Sequence, residues 1–344
     1  MNHPAQRGFT LIELMIALVL GLIVIGGVVS VLLSNQQSYR SNQALAQVQD
    51  GSRIAFEFLT RDIRQAGLTG CGNTNVANVL NNSPANGGTD WWANWANALQ
   101  GYAAGATAPV ATGTAATQRT TNSDSITLMS AGDSGYSVDA PNSTTAQFKL
   151  NEPKPDLQDG DIVIVCDPNQ ATILQVTNYN ASNVTVVHNT GTGTPGNCSK
   201  GLGFPTDCSS TNGNPYTYQN NAMLAKLNAS YWYIGNNALG TCAASTPQNC
   251  SLFRSTISVS SSGGKVNAQP QEQEIVRGVT NMQLGYLQGG TSFVPAASVT
   301  NWSQVTAVQV TLTLAVPTNP NNPNDPRVIQ RVFTNTIALR NRMG

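Results

Sequence analysis

The chain has 344 residues, 17 Lys and Arg against 17 Asp and Glu, and a formal net charge of zero. Only 10% of its residues are charged, so no basic surface for nucleic acid is expected, and this length allows one or two domains. Six cysteines, all beyond the first apolar run, fit an oxidising compartment and three disulfides.

Residues 9–33 read FTLIELMIALVLGLIVIGGVVSVLL, with one charge, Glu13, and two hydroxyls, Thr10 and Ser30. As a helix this run would be roughly 38 Å long, enough to cross a hydrocarbon core of about 30 Å. A polar leader, residues 1–8, ends in Arg7-Gly8 immediately before it. A carboxylate inside such a run costs at least a few kcal/mol in lipid, so Glu13 calls for a cation at the same depth. The nearest candidate is the α-amino group freed if the chain is cut between Gly8 and Phe9. An ordinary secretory signal has a shorter apolar region with a small-residue cleavage site after it. Here Ser34-Asn35-Gln36 follows instead. A plain membrane anchor explains the length of the run but neither Glu13 nor the Gly8-Phe9 junction. The positive charge of Arg7 puts the leader in the cytoplasm and the bulk of the chain in the periplasm or outside.

The stretch Gly8, Phe9, Thr10, Leu11, Ile12, Glu13, Leu14 closely resembles the class III signal of type IV pilins and type II secretion pseudopilins. The resemblance implies that a prepilin peptidase cuts after Gly8 and methylates the amine of Phe9. It also implies that Glu13, with Thr10 beside it, docks the subunit by neutralising a neighbour's amine. The expected fold is α+β, a long N-terminal helix packed on a mainly antiparallel β-sheet head with long loops. Its expected parts are a leader (1–8), a transmembrane or filament-core stem (9–33), an amphipathic half-helix (34–67) and a β-rich head (68–344).

Along the second half of the helix, Leu45, Val48, Ser52, Ala55, Leu59, Ile63 and Ala66 recur every three or four residues, a single stripe. Glu57 and Arg61 form a favourable i,i+4 pair, and Gly67 offers a left-handed cap. One helix from residue 9 to about 66 would run roughly 87 Å. Gly21, Gly26 and Gly27 either weaken the stem or permit close helix packing. Residues 71–121 read as a long irregular connection holding one short capped helix at 89–99. Trp91 and Trp95 would share a face there, stacking on a sugar or partner or closing a hydrophobic lid. Strands are predicted at 126–128, 161–166, 172–177, 184–188, 230–234, 252–254, 257–260, 274–276, 282–287, 305–316 and 328–337. Residues 198–214 and 317–326 read as loops.

Within the superfamily the chain resembles the PilW-like minor pilins of the type IV pilus. The carriers are Arg61-Asp62-Ile63-Arg64-Gln65-Ala66-Gly67 with Cys71 soon after, Gly160-Asp161-Ile162-Val163, Gln273 to Val279, and Val332 to Arg342. The resemblance implies a role in starting or tipping a pilus, with other minor pilins, the major pilin and a tip adhesin as partners. Twitching motility, adhesion or DNA uptake would follow. The protein would sit in the inner membrane before assembly and on the cell surface afterwards. A type II secretion minor pseudopilin and a membrane-anchored binding module or hydrolase are the alternatives.

No enzyme or cofactor is expected. The mature chain would keep His188 as its sole histidine, read as a strand-end or loop residue, and no Gly-x-Ser-x-Gly elbow surrounds a serine. Gly191 to Gly196 fits G-x-G-x-x-G in letters, but loop rather than helix follows. Asp156, Asp159, Asp161 and Asp167 could hold calcium, yet their spacing departs from the EF-hand loop and Asp159-Gly160 reads as a turn. The cysteines lack paired C-x-x-C zinc spacing. Cys198 with Cys208 and Cys242 with Cys250 each flank a short loop; pairing them locally leaves Cys71 with Cys166.

Overall fold

The computed structural model describes residues 9–72, 75–133, 135–142, 146–153, 156–262, 265–319 and 327–342. Gly8 and the rest of the leader lie outside these, as does most of the proline-rich loop expected at 317–326.

A single helix, α1 (Leu11–Gln65), opens the fold. Almost every residue from 9 to 43 is exposed, Phe9 at 90% and Leu22 at 68%. From Ala44 onward one face is buried: Ala44, Val48, Gly51, Ser52, Ala55, Leu59, Asp62 and Ile63. Leu45 is only half-buried, and Ala44 takes its place on the stripe. Gly51 lets the helix approach the head closely, because a Cβ there would lie 3.1 Å from Val276 and 3.2 Å from Leu314. By contrast, a Cβ at Gly21, Gly26 or Gly27 would meet nothing within 4 Å, so they make no close packing contact within this chain. The helix stops where Gly67 adopts φ +78° and donates its N–H to Met129 O at 2.7 Å. Arg61 turns to Asp133 on the head rather than to Glu57, and Gln65 Nε2 joins it at 3.1 Å.

The amphipathic half lies over a three-stranded antiparallel sheet of β13 (Val279–Gln288), β14 (Val305–Pro317) and β15 (Val328–Ala338). Val308, Val310, Leu312 and Leu314 of β14 point into the shared core with Val48, Ala55, Leu59 and Ile63. The alternation follows the two-residue period of a strand with one face covered.

The other strands form a branched twelve-stranded sheet. They are β1 (Val76–Asn78), β2 (Leu99–Tyr102), β3 (Ser125–Ala131), β4 (Tyr136–Asn142), β5 (Gln147–Leu150) and β6 (Ile162–Cys166). Next come β7 (Ala171–Gln175), β8 (Asn178–Asn180), β9 (Thr185–Val187), β10 (Met223–Asn236), β11 (Cys250–Ser262) and β12 (Lys265–Arg277). The hub is β10. Its first residues pair with β6 and β4, and its later ones with β3 and β11. Every pairing is antiparallel except β1 with β7, so the head is mainly antiparallel and the fold is α+β.

Several sequence expectations need correction. β10 starts at Met223 rather than 230: Lys226 and Asn228 interrupt its apolar residues, but Leu224, Ala225, Leu227 and Ala229 are buried and β4, β6 and β3 pair with this half. The two pieces expected at 252–254 and 257–260 are one strand, and β12 begins at Lys265 rather than 274. Among the named strands β12 pairs with β11 alone, and beyond a bridge from Thr194 to Asn267 its outer edge is open where Pro270 is tolerated. β4, β5 and β8 were not expected, and the connection at 71–121 contains β1 and β2. The short helix expected at 89–99 is instead two 3-10 turns, Trp91–Ala93 and Trp95–Asn97, followed by β2. Between the turns Asn94 takes φ −90° and ψ 71°, which breaks the helical path while Trp92 is buried.

Candidate assembly and docking site

The N-terminal end of the stem is built from Thr10 and Glu13. Thr10 has extended backbone angles and caps the helix, with Glu13 at the third helical position. Its hydroxyl accepts from the Glu13 N–H at 3.3 Å and donates to Glu13 Oε2 at 2.9 Å. The Thr10 N–H donates to the same Oε2 at 2.9 Å. This reciprocal capping box satisfies two of the amides a helix start leaves open. It also pins the carboxylate at the helix N-terminus, the positive end of the helix dipole. The structure thus brings Thr10 and Glu13 together beside exposed Phe9.

The helix is long and apolar enough to cross a membrane. Its bare part carries a continuous coat of large apolar side chains from Leu11 to Leu33. Such a surface needs either lipid or other apolar helices around it.

At the other end the helix is locked to the head by a buried carboxylate. Asp62 accepts from Trp232 Nε1 at 2.9 Å, from Arg254 Nε at 3.0 Å and from Arg254 Nη2 at 3.1 Å. The guanidinium also lies 5.6 Å from the Trp232 ring centroid. The Asp62 side chain is 4% exposed and that of Arg254 19%. Sequence reasoning missed this lock. The only trace was an aspartate between Leu59 and Ile63, inside the apolar stripe.

Three disulfides are present: Cys71–Cys166, Cys198–Cys208 and Cys242–Cys250. The first ties the segment just past the helix to the end of β6. The four aspartates considered for calcium have protein partners. Asp156 accepts from Tyr136, and Asp159 from the Tyr179 N–H. Asp167 accepts from Tyr216 at 2.8 Å. Asp161 pairs with Lys226 Nζ at 2.9 Å, although burial pushes its carboxyl above the usual carboxylate range. Among the described residues no three His, Cys, Asp or Glu side chains group as a metal site. His188 lies just past β9, stacked on Phe148 at 4.9 Å, and burial pushes its imidazole down to about 4. Residues 191–196 form an irregular loop next to Gln175, whose Oε1 accepts from the Gly196 N–H at 2.7 Å.

An apolar stem that opens on a capped glutamate, set on a β-sheet head, defines a pilin-like protein. Residues 3–29 match the prokaryotic N-terminal methylation motif. That motif, at the head of a helix-plus-head architecture, supports the resemblance to the type IV pilins. No curated protein matches the chain. Among solved structures, a chain of the GspK-GspI-GspJ complex from the enterotoxigenic Escherichia coli type 2 secretion system is similar at 12% identity. The match covers 83% of this chain and 96% of that one, with a TM-score of 0.30.

Proposed function

We propose that this protein is a minor pilin of a type IV pilus, of the PilW-like kind, that helps to start assembly and to form the tip. Its role is structural rather than enzymatic. The observation that carries the reading is the bare apolar stem with Glu13 fixed at its first turn. A prepilin peptidase removes residues 1–8 and methylates Phe9, leaving an amine close to the Glu13 carboxylate. In the inner membrane, with the leader end cytoplasmic and the head periplasmic, lipid covers the stem. In the filament other stems replace lipid, and Glu13 meets the amine of a neighbouring subunit. A buried ion pair repays its desolvation only through close pairing, so the contact selects correctly staggered neighbours. Other minor pilins and the major pilin are the partners, with a tip adhesin beyond them. The stretches around Arg61 to Gly67 and Val332 to Arg342 support the PilW-like assignment. Twitching, adhesion or DNA uptake would depend on the assembled pilus.

The test is Glu13→Gln in the native host, read by intact mass, site-specific crosslinking and pilus counts. The expected outcome is a mature chain starting at methylated Phe9, inserted normally, with crosslinks to other minor pilins lost and fewer surface pili. Wild-type crosslinking and piliation in this variant would refute docking through Glu13 and leave only the Gly8-Phe9 cleavage junction to separate a pilin from a plain anchored domain. Deletion of the protein that spares pili but blocks protein secretion would move it to the type II secretion pseudopilins.

A further inference from the structure

The head carries a groove of about 720 Å³ far from the stem's docking residues, and assembly gives it no role. One wall is the Trp91 turn and β2 with Tyr102; the opposite wall is β12 with Gln269 and Glu272. Fully buried Tyr231 lies behind the aromatic wall. Its ring centroid is 6.0 Å from Trp91, tilted at 51°, and 6.1 Å from Tyr102, edge-on at 87°. The column continues through Tyr233 at 5.1 Å and Phe253 at 5.5 Å. Trp91 and Tyr102 are half-buried, so each is braced from behind while part of it stays open. Bracing of this kind removes most of the ordering cost that a ligand would otherwise bear.

The polar lining has a consistent character. Asp90 and Glu272 contribute carboxylates, Asn94, Gln100 and Gln269 contribute amides, and no cationic side chain is among the residues that line the groove. Ser255 faces Glu272 directly across the β11–β12 pair and lies on the same face of β11 as Phe253. It is wholly buried, and its hydroxyl has no hydrogen-bond partner among the described residues. A lid that merely closed the core over Trp91 would not need carboxylates and amides along its outer wall, nor an unanswered hydroxyl at its base.

We propose that this groove binds a neutral oligosaccharide. A pyranose ring offers an apolar C–H face to an aromatic ring and a rim of hydroxyls, each both donor and acceptor. Carboxylates accept from such a rim, and amides both donate and accept. The two carboxylates repel polyanions, which excludes phosphorylated, sulfated and nucleic-acid ligands. The volume is within the range of about 300–1,000 Å³ typical of small-molecule sites, and the braced aromatic wall with a few convergent polar groups matches their composition.

The test uses the full-length protein in a detergent without a sugar headgroup. Chitotriose, cellotriose and maltotriose are the probes, with a heparin tetrasaccharide and an oligolysine peptide as contrasts. Binding is read by tryptophan fluorescence and by saturation transfer to the sugar protons. At least one neutral trisaccharide should bind saturably, and neither contrast ligand should compete. Gln269→Ala and Glu272→Gln, on the free-edge strand, should each weaken it about fivefold, the loss of one hydrogen bond. Trp91→Ala should weaken it more than about tenfold. If Trp91→Ala disturbs the fold, the two β12 variants carry the test alone. No binding of any neutral probe, unchanged affinity in the β12 variants, or preference for heparin or oligolysine would each overturn the proposal.

Discussion

Replacing Asp62 by Asn tests what holds the helix on the head. Asn keeps the shape and an acceptor for Trp232 Nε1, but it removes the charge that faces the Arg254 guanidinium. Removing one partner of a buried ion pair costs about 3–5 kcal/mol because the other charge is left uncompensated. Here Arg254 keeps 19% exposure and a contact to Asn228 Oδ1 at 3.3 Å, so the expected loss is smaller, about 2–3 kcal/mol. At about 2–4 °C per kcal/mol for a domain of this size, the midpoint of unfolding should fall by roughly 4–12 °C. The assay is thermal unfolding by near-ultraviolet circular dichroism with disulfides intact, together with limited proteolysis between residues 44 and 66. In Asp62→Asn the helix should become cleavable there well below the wild-type midpoint. A double variant, Asp62→Asn with Arg254→Met, removes both charges while preserving apolar volume, and should recover most of the loss. The reasoning fails if Asp62→Asn stays within about 0.5 kcal/mol of wild type, the level of an ordinary surface change. It also fails if the double variant is no more stable than the single one.

Two further outcomes are expected. Replacing Cys71 and Cys166 by Ser opens a loop of 95 residues, whose chain-entropy contribution is about 4.7 kcal/mol, against about 2.5 kcal/mol for the 8-residue loop of Cys242 and Cys250. Denaturant unfolding of the two double variants should rank them in that order, and equal or reversed losses would reject the entropic account. His188 is neutral in the folded head because burial lowers its pKa to about 4 from the ordinary 6.5. Its contribution is therefore complete above pH 6.5 and is lost as pH falls through 4, by about 3 kcal/mol in total. Comparing stability at pH 7 and pH 4 should show a shallower acid loss in His188→Phe than in wild type, and identical slopes would remove His188 as its source.

The stem and its glutamate were legible because their signal is local: an unbroken apolar run and one charge at a fixed place. The β14 strand was legible because one face is covered and the other is not, so burial of Val308, Val310, Leu312 and Leu314 prints an alternating pattern. Where strand identity depends on neighbours rather than on the segment itself, the sequence was mute. The first half of β12, with exposed Gln269, Pro270 and Gln271, is held by its ladder to β11 and by a bond from the Ala268 N–H to Thr194 O, so no apolar period marks it. Likewise Lys226 and Asn228 of β10 look like loop residues until neighbouring strands pair them, Lys226 with Val163 of β6 and Asn228 with Ser130 of β3. Asp62 was hidden for a different reason. A charge on a helical stripe reads as the stripe's edge, and its answering groups lie 170 and 192 residues away. Of the three tryptophans in the two turns, Trp92 rather than Trp91 or Trp95 is the buried one, because turn geometry and not helical spacing decides which ring points inward.

The bridge between Cys71 and Cys166 has a mechanical consequence. A force pulling on the bare stem travels along α1, which passes part of it to the head through its buried face and the Asp62 lock before the chain leaves the helix at Gly67. Four residues later the chain reaches a covalent shortcut to the end of β6, the strand paired with the first four residues of β10. Between the two cysteines, β3 gives a second, hydrogen-bonded path, because it pairs along β10 and its Met129 O and Ala131 N–H bond the chain at Gly67 and Leu68. Load is thus handed directly to the strand beside the sheet hub, so that a break in the peptide path between the two cysteines would not by itself part the end of the helix from the large sheet.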